Sequence, residues 1–138
     1  MSDLYRELIL DHYKNPRNNG YLDPCDAEAQ GQNPLCGDDV KISMNFEGDT
    51  VQEIRFQGRG CAISQASASI LTEIVEGKTV SEINALNKDE LLDELGAPIA
   101  QNPARLKCAL LGLSVLKLAL HRAQGTSIPE EWEGFVEG

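Results

Sequence analysis

No stretch of this sequence approaches the roughly 18 apolar residues that a membrane helix needs, and no basic segment followed by an apolar run stands at its N-terminus. A cytoplasmic protein that leaves membranes alone is the expectation. Positive charge is scarce: 12 Lys and Arg against 22 Asp and Glu give a formal net charge of −10. That balance repels nucleic-acid backbones and anionic lipid, so neither is expected as a partner, whereas a protein with a basic patch is favoured. Internal repeats and low-complexity segments are absent. Apolar residues at 41% and charged residues at 25% are ordinary for a globular protein. The 138 residues fit one domain, spanning 1–138, with a short acidic tail from about residue 125. Cys-x-x-Cys spacing is missing too, although there are four cysteines, at 25, 36, 61 and 108. In a reducing compartment these read as thiols or metal ligands rather than a disulfide set.

The periodic segments alternate between helix and strand patterns. Leu4, Leu8 and Ile9, with Tyr5, His12 and Tyr13 nearby, predict a helix over roughly 4–14 with Asp3 as N-cap. Asn15-Pro16-Arg17-Asn18-Asn19-Gly20 stops it, because proline disfavours helix in the residue before it. Between Cys25 and Asn33 the chain is polar and rich in Gly and Gln, which predicts at most a weak edge strand. From Val40 the alternation is strict, with Val40, Ile42, Met44 and Phe46 on one face and Lys41, Ser43, Asn45 and Glu47 on the other, predicting a half-buried strand. Gly48-Asp49-Thr50 turns the chain and Ile54 and Phe56 return, while the out-of-phase Val51 predicts a bulge beside the turn. A register centred on Asp49 pairs Ile42 with Phe56 and Met44 with Ile54. Carried to the open end, it sets Cys36 opposite position 62 and Cys61 opposite position 37.

Beyond Cys61, the residues Ile63, Ala66, Ile70, Leu71 and Ile74 form a helical stripe that Gly77 ends, so Cys61 falls at a helix N-terminus. Thr79-Val80-Ser81-Glu82 reads as a capping box for a short helix, and Asn87 with Glu90 opens another that Gly96 closes. Asn102 as N-cap and Pro103 at the first position begin the last long helix, which runs to about Ala123. Leu106, Ala109, Leu110, Leu113, Leu116, Leu118 and Leu120 make it apolar around much of its circumference, so it is expected to be the central core helix, with Cys108 in its second turn. The tail from Gly125 carries Trp132 and Phe135 as isolated anchors.

A soft metal or cluster needs thiolates, and three features favour that form here. Cys61 has a helix N-terminus, Arg59, Arg105 and Lys107 supply cations close in sequence, and Gly37, Gly58 and Gly60 let the backbone approach. Cys36, Asp38, Cys61 and Cys108 would satisfy tetrahedral Zn²⁺ with three sulfurs and one oxygen. The same four could hold a [2Fe–2S] cluster. A hard carboxylate on a soft centre is a weak, exchangeable ligand, a property that a site built for transfer would use. Three thiolates and a carboxylate around a divalent centre leave negative charge for Arg105 and Lys107 to offset. Spacing alone leaves the other reading open, that these are structural or incidental thiols, since free cysteine often serves as a small core residue. The hairpin register brings the ligand reading level with it, and both stay open. Cys25 has no such context and reads as an ordinary free thiol; His12 and His121 read as surface or packing histidines.

Four ordered segments, Asp11-His12-Tyr13-Lys14-Asn15-Pro16-Arg17-Asn18, Asn33-Pro34-Leu35-Cys36-Gly37-Asp38, Gly58-Arg59-Gly60-Cys61-Ala62-Ile63-Ser64-Gln65-Ala66-Ser67-Ala68-Ser69 and Pro103-Ala104-Arg105-Leu106-Lys107-Cys108, together resemble the IscU/SufU/NifU N-terminal family of iron–sulfur cluster assembly proteins. The resemblance spans nearly the whole chain to about Ala123. It implies an α+β fold, a small antiparallel β-sheet of about three strands packed against several helices. It also implies a cluster site of three cysteines and an aspartate, and a cysteine desulfurase partner that delivers sulfur as a persulfide to Cys108. The implied function is a scaffold that assembles a transient [2Fe–2S] cluster, binding iron, and hands it to acceptor or carrier proteins, with Zn²⁺ at the site in the resting state. The alternatives are a zinc-dependent sulfurtransferase of the SufU type, with Cys108, Arg105 and Lys107 as its working residues, and a structural zinc domain. IscU-type members carry histidine before the third cysteine, inside a motif read by a dedicated chaperone. Lys107 stands there in this chain, as in SufU, which speaks against that chaperone. The segment from Cys61 to Cys108 nevertheless lacks the longer insertion typical of SufU.

Overall fold

The computed structural model describes residues 3–33, 37–95 and 103–124. Cys36, Gly96, Asn102 and the tail from Gly125 lie outside the described residues. The hairpin that alternation predicts is present: β2 (Asp38–Glu47) and β3 (Thr50–Arg59) pair antiparallel, with Ile42 opposite Phe56 and Met44 opposite Ile54. The register shifts between Asn45 and Phe46, which places Phe46 opposite Val51 and turns Val51 into the core. That is the bulge its phase required. The polar face is less open than alternation suggests. Ser43 is buried and accepts a hydrogen bond from the Leu22 N–H at 3.0 Å.

Residues Ala27–Asn33 form a full strand, β1, on the other side of β2, from Ala27 opposite Met44 to Asn33 opposite Asp38. The weak edge strand expected there is thus a complete edge strand of seven residues. Its buried positions are Ala27, Ala29, Gly31 and Asn33, side chains too small or too polar to register as a hydrophobic period. Their smallness has a use: α5 lies directly on this strand. The sheet order is β1-β2-β3.

Among the described residues five helices accompany the sheet: α1 (Asp3–Lys14), α2 (Ala62–Val75), α3 (Val80–Ala85), α4 (Lys88–Leu95) and α5 (Pro103–Gln124). Asp3 belongs to α1 rather than preceding it. The capping box is formed, with the Glu82 N–H donating to Thr79 Oγ1 at 3.2 Å and the Thr79 N–H to Glu82 Oε1 at 3.0 Å. Asn87 Oδ1 accepts from the Glu90 N–H at 3.0 Å. α5 covers β1, β2 and α2, and its Leu111, Leu113, Leu116 and Leu120 are fully buried beside Ile42, Met44, Ile54 and Phe56. Each such side chain contributes about 1.5–3 kcal/mol by leaving water. Among the described residues no helix is long and apolar enough to cross a membrane.

α2 is buried on more than the predicted isoleucine stripe. Ser64 to Thr72 are all buried, whereas Ile63 and Ile74 are half-buried. The cause is its position, with α1, α5 and β3 packed around it. Small residues permit the close approach: a Cβ on Gly112 would sit 3.4 Å from Ala68. Buried hydroxyls find carbonyls, as Ser67 Oγ does with Ala109 O at 2.6 Å.

The segment after α1 does more than stop the helix. The Arg17 N–H donates to Ser69 Oγ at 2.9 Å, Asn18 Nδ2 to Thr72 Oγ1 at 3.2 Å, and the Phe56 N–H to Asn18 O at 2.9 Å. His12 is buried with Nδ1 2.7 Å from Ser69 Oγ, and its Nε2 faces Glu73 at 3.7 Å. Ser69 Oγ already accepts from Arg17, so its proton is free to donate to Nδ1, an arrangement that fits a neutral imidazole. Burial holds the His12 pKa below the ordinary imidazole value, aided by the Arg17 charge and opposed by Glu73 and Asp11. The folded chain therefore binds a proton at His12 less readily than the unfolded chain does. This contribution to stability is complete above about pH 6.5 and is lost as pH falls through the lowered folded value. Denaturant unfolding at stepped pH should show stability declining below pH 6.5, and His12→Gln should flatten that decline.

Candidate metal centre

The site forms where β3 runs into α2. Cys61 is the N-cap of α2, in extended backbone conformation (φ −71°, ψ 161°), and its Sγ accepts from the Ser64 N–H at 3.4 Å. A cap position normally filled by Ser, Thr, Asp or Asn is here filled by sulfur, so a helix amide points at the thiol. One residue earlier, Gly60 adopts φ +141°, and a Cβ there would stand 2.1 Å from Asp38 Oδ1. Only glycine lets the strand end pass this close to the carboxylate.

Asp38 opens β2 and is 1% exposed. Its Oδ1 accepts from the Cys61 N–H at 2.8 Å, and its Oδ2 lies 3.6 Å from Cys61 Sγ, within reach of the thiol proton. A buried carboxylate is costly unless hydrogen-bonded, and these contacts with a helix N-terminus offset that cost. Cys108 comes down from α5 at 5% exposure, and Asn33 Nδ2 lies 3.8 Å from its Sγ. One ligand atom from each of Asp38, Cys61 and Cys108 lies within 4.8 Å of the other two. The donor set, sulfur, sulfur and a carboxylate oxygen, suits zinc or an iron–sulfur centre.

Of the residues singled out by sequence, Asp38, Cys61 and Cys108 are thus brought together, and Cys36 lies outside the described residues. Arg59, Arg105 and Lys107 are exposed, close in sequence to Cys61 and Cys108. Persulfide acceptance asks for an accessible thiol, yet Cys108 is buried and Cys61 is the more open of the two. Sequence reasoning assigned no part to Asn33; its signal was a polar residue at a buried strand position directly before the cysteine segment. Cys25 is a separate matter. Its Sγ donates to Glu28 Oε2 at 3.2 Å, and the Tyr21 hydroxyl donates to the same oxygen. Burial and then the Glu28 hydrogen bond push the Cys25 thiol pKa up, and the Tyr21 phenol is pushed up by Glu28 as well.

A small three-stranded sheet under helices defines an α+β protein, and where β3 runs into α2 a buried carboxylate and one thiol meet a second thiol from α5 in a set that could hold a soft metal ion. The chain belongs to the family described as the NifU-like N terminal domain, whose model matches residues 4–127. It is 35% identical to the zinc-dependent sulfurtransferase SufU of Bacillus subtilis (strain 168) over 140 residues, covering 91% of this chain and 95% of that one. It is 37% identical to the iron–sulfur cluster assembly scaffold protein IscU of Escherichia coli (strain K12) over 121 residues, covering 84% and 91%. The crystal structure of a putative iron–sulfur cluster assembly scaffold protein for the SUF system from Fervidobacterium islandicum AW-1 superposes with a TM-score of 0.72 at 28% identity, covering 87% of this chain and 99% of that one. An N-terminal NifU-like protein from Brucella abortus shares the fold at TM-score 0.78 and 23% identity, covering 91% and 97%.

The thiol environments predict an order of reactivity in the metal-free chain. Under brief alkylation at pH 7.5 with mass mapping, Cys61 should react before Cys25, whose raised pKa keeps it protonated, and before Cys108, which is buried. Raising the pH to 9 should accelerate Cys25 markedly. A Cys108 that reacts first would contradict the burial described.

Proposed function

We propose that this chain is an iron–sulfur cluster assembly scaffold. In this reading it takes sulfur from a cysteine desulfurase, holds a [2Fe–2S] cluster as cargo on Cys36, Asp38, Cys61 and Cys108, and passes it to acceptor proteins in the cytoplasm. The observation that carries the proposal is the buried carboxylate of Asp38, hydrogen-bonded by the Cys61 amide and within 4.8 Å of two thiols. An all-thiolate site would retain its metal. A carboxylate among thiolates exchanges more readily, which suits a site that must give up what it holds. Cys36 supplies the third sulfur. On either side of Cys36 in sequence, the Gly37 N–H donates to Asn33 O at 2.9 Å.

Sulfur arrives in this account by thiol exchange. The Cys108 thiolate attacks the outer sulfur of the desulfurase persulfide, that S–S bond breaks, and the desulfurase cysteine leaves as a thiolate. Arg105 and Lys107 attract the persulfide anion. Because Cys108 is buried, delivery calls for an opening at the first turns of α5. The exposed Arg105 and Lys107 also support a second reading, a zinc-dependent sulfurtransferase in which zinc holds the thiolates until Cys108 is freed to accept sulfur. The relative that bears that name supports it equally.

Anaerobic incubation of the chain with a cysteine desulfurase, Fe²⁺ and cysteine separates the two. The scaffold reading predicts iron and acid-labile sulfide in equal amounts, transfer to an apo-ferredoxin, and slower loss of the cluster from Asp38→Ala. Persistence of about one zinc per chain, with persulfide alone on Cys108, would show a sulfur carrier instead.

A further inference from the structure

We infer that Asn33 is a positioning residue of this centre, whose amide donates an N–H···S hydrogen bond to Cys108 and holds that sulfur toward Asp38 and Cys61. The inference rests on the reading of these residues as metal ligands. Asn33 ends β1, is 1% exposed, and has Nδ2 3.8 Å from Cys108 Sγ. Strand propensity does not favour asparagine, and a buried amide is costly unless its hydrogen bonds are made. The sulfur of Cys108 is one partner that the Asn33 amide reaches at this buried position.

The sheet explains why this residue is placed for the task. Asn33 stands directly opposite Asp38 in the β1–β2 register, and opposed residues project from the same face of a sheet. Both side chains are buried, and α5 lies on both strands. The main-chain carbonyl of Asn33 meanwhile accepts from the Gly37 N–H at 2.9 Å. One residue therefore joins the ends of the segment bearing Cys36, neighbours the carboxylate, and reaches the thiol that comes from a helix far along the chain. A donor aimed at a thiolate is charge-assisted, and it fixes the direction of the sulfur lone pairs that remain for a metal.

The test uses the full wild-type chain loaded with cadmium-113, followed by NMR. The Asn33 side-chain amide proton should show scalar coupling to cadmium through Cys108 Sγ. Asn33→Leu, which keeps the shape without the donor, should lose that coupling and bind cadmium roughly 10–100-fold more weakly while retaining the wild-type circular dichroism. Bound cadmium with no coupling at Asn33 in the wild type overturns the inference and leaves the metal-centre reading intact. No cadmium bound to the wild type overturns both. The coupling is measured on the native chain, so the test stands even where the leucine variant does not fold.

Discussion

The Cys61 N–H donates to Asp38 Oδ1 over 2.8 Å, and the arrangement of the centre depends on that bond. It joins the first residue of β2 to the first residue before α2, so the sheet and the helix meet at one fixed point. Gly60 makes the bond possible, because any side chain there would occupy the place of the carboxylate. The same bond leaves Cys61 as the helix cap, with the Ser64 amide at its sulfur. The α5 helix then needs only to cross β1 and β2, as its apolar length dictates, to bring Cys108 down on the pair.

Electrostatics explains why such a site asks for a cation. Asp38 is buried, and ionising the thiols beside it would gather negative charge where little water can screen it. Backbone amides and the α2 N-terminus relieve part of this, and a divalent metal or cluster relieves more. The surrounding protein, at −10, repels further anions.

Much of this was readable before any coordinates, for physical reasons that differ between elements. The β2–β3 hairpin was legible because Val40, Ile42 and Met44 face Ile54 and Phe56 with strict alternation around a glycine turn, and its register set Cys61 opposite position 37. The Thr79–Glu82 capping box was legible because its chemistry is local. β1 was understated because Ala27, Ala29 and Gly31 bury backbone rather than apolar bulk, and only α5 lying on top reveals them as core. The burial of Ser64, Ser67 and Ser69 in α2 follows from being surrounded, which no single segment can report. His12 and Asn33 are tied to partners more than fifty residues away, a separation that local patterns do not bridge.

In the proposed centre, three cysteines and Asp38 form one ligand set. Zinc-edge X-ray absorption on the chain, purified anaerobically with one zinc bound, tests it most directly. Three sulfurs at about 2.3 Å and one oxygen at about 2.0–2.2 Å are expected. A shell of four sulfurs, which would recruit Cys25, or one containing imidazole would contradict it.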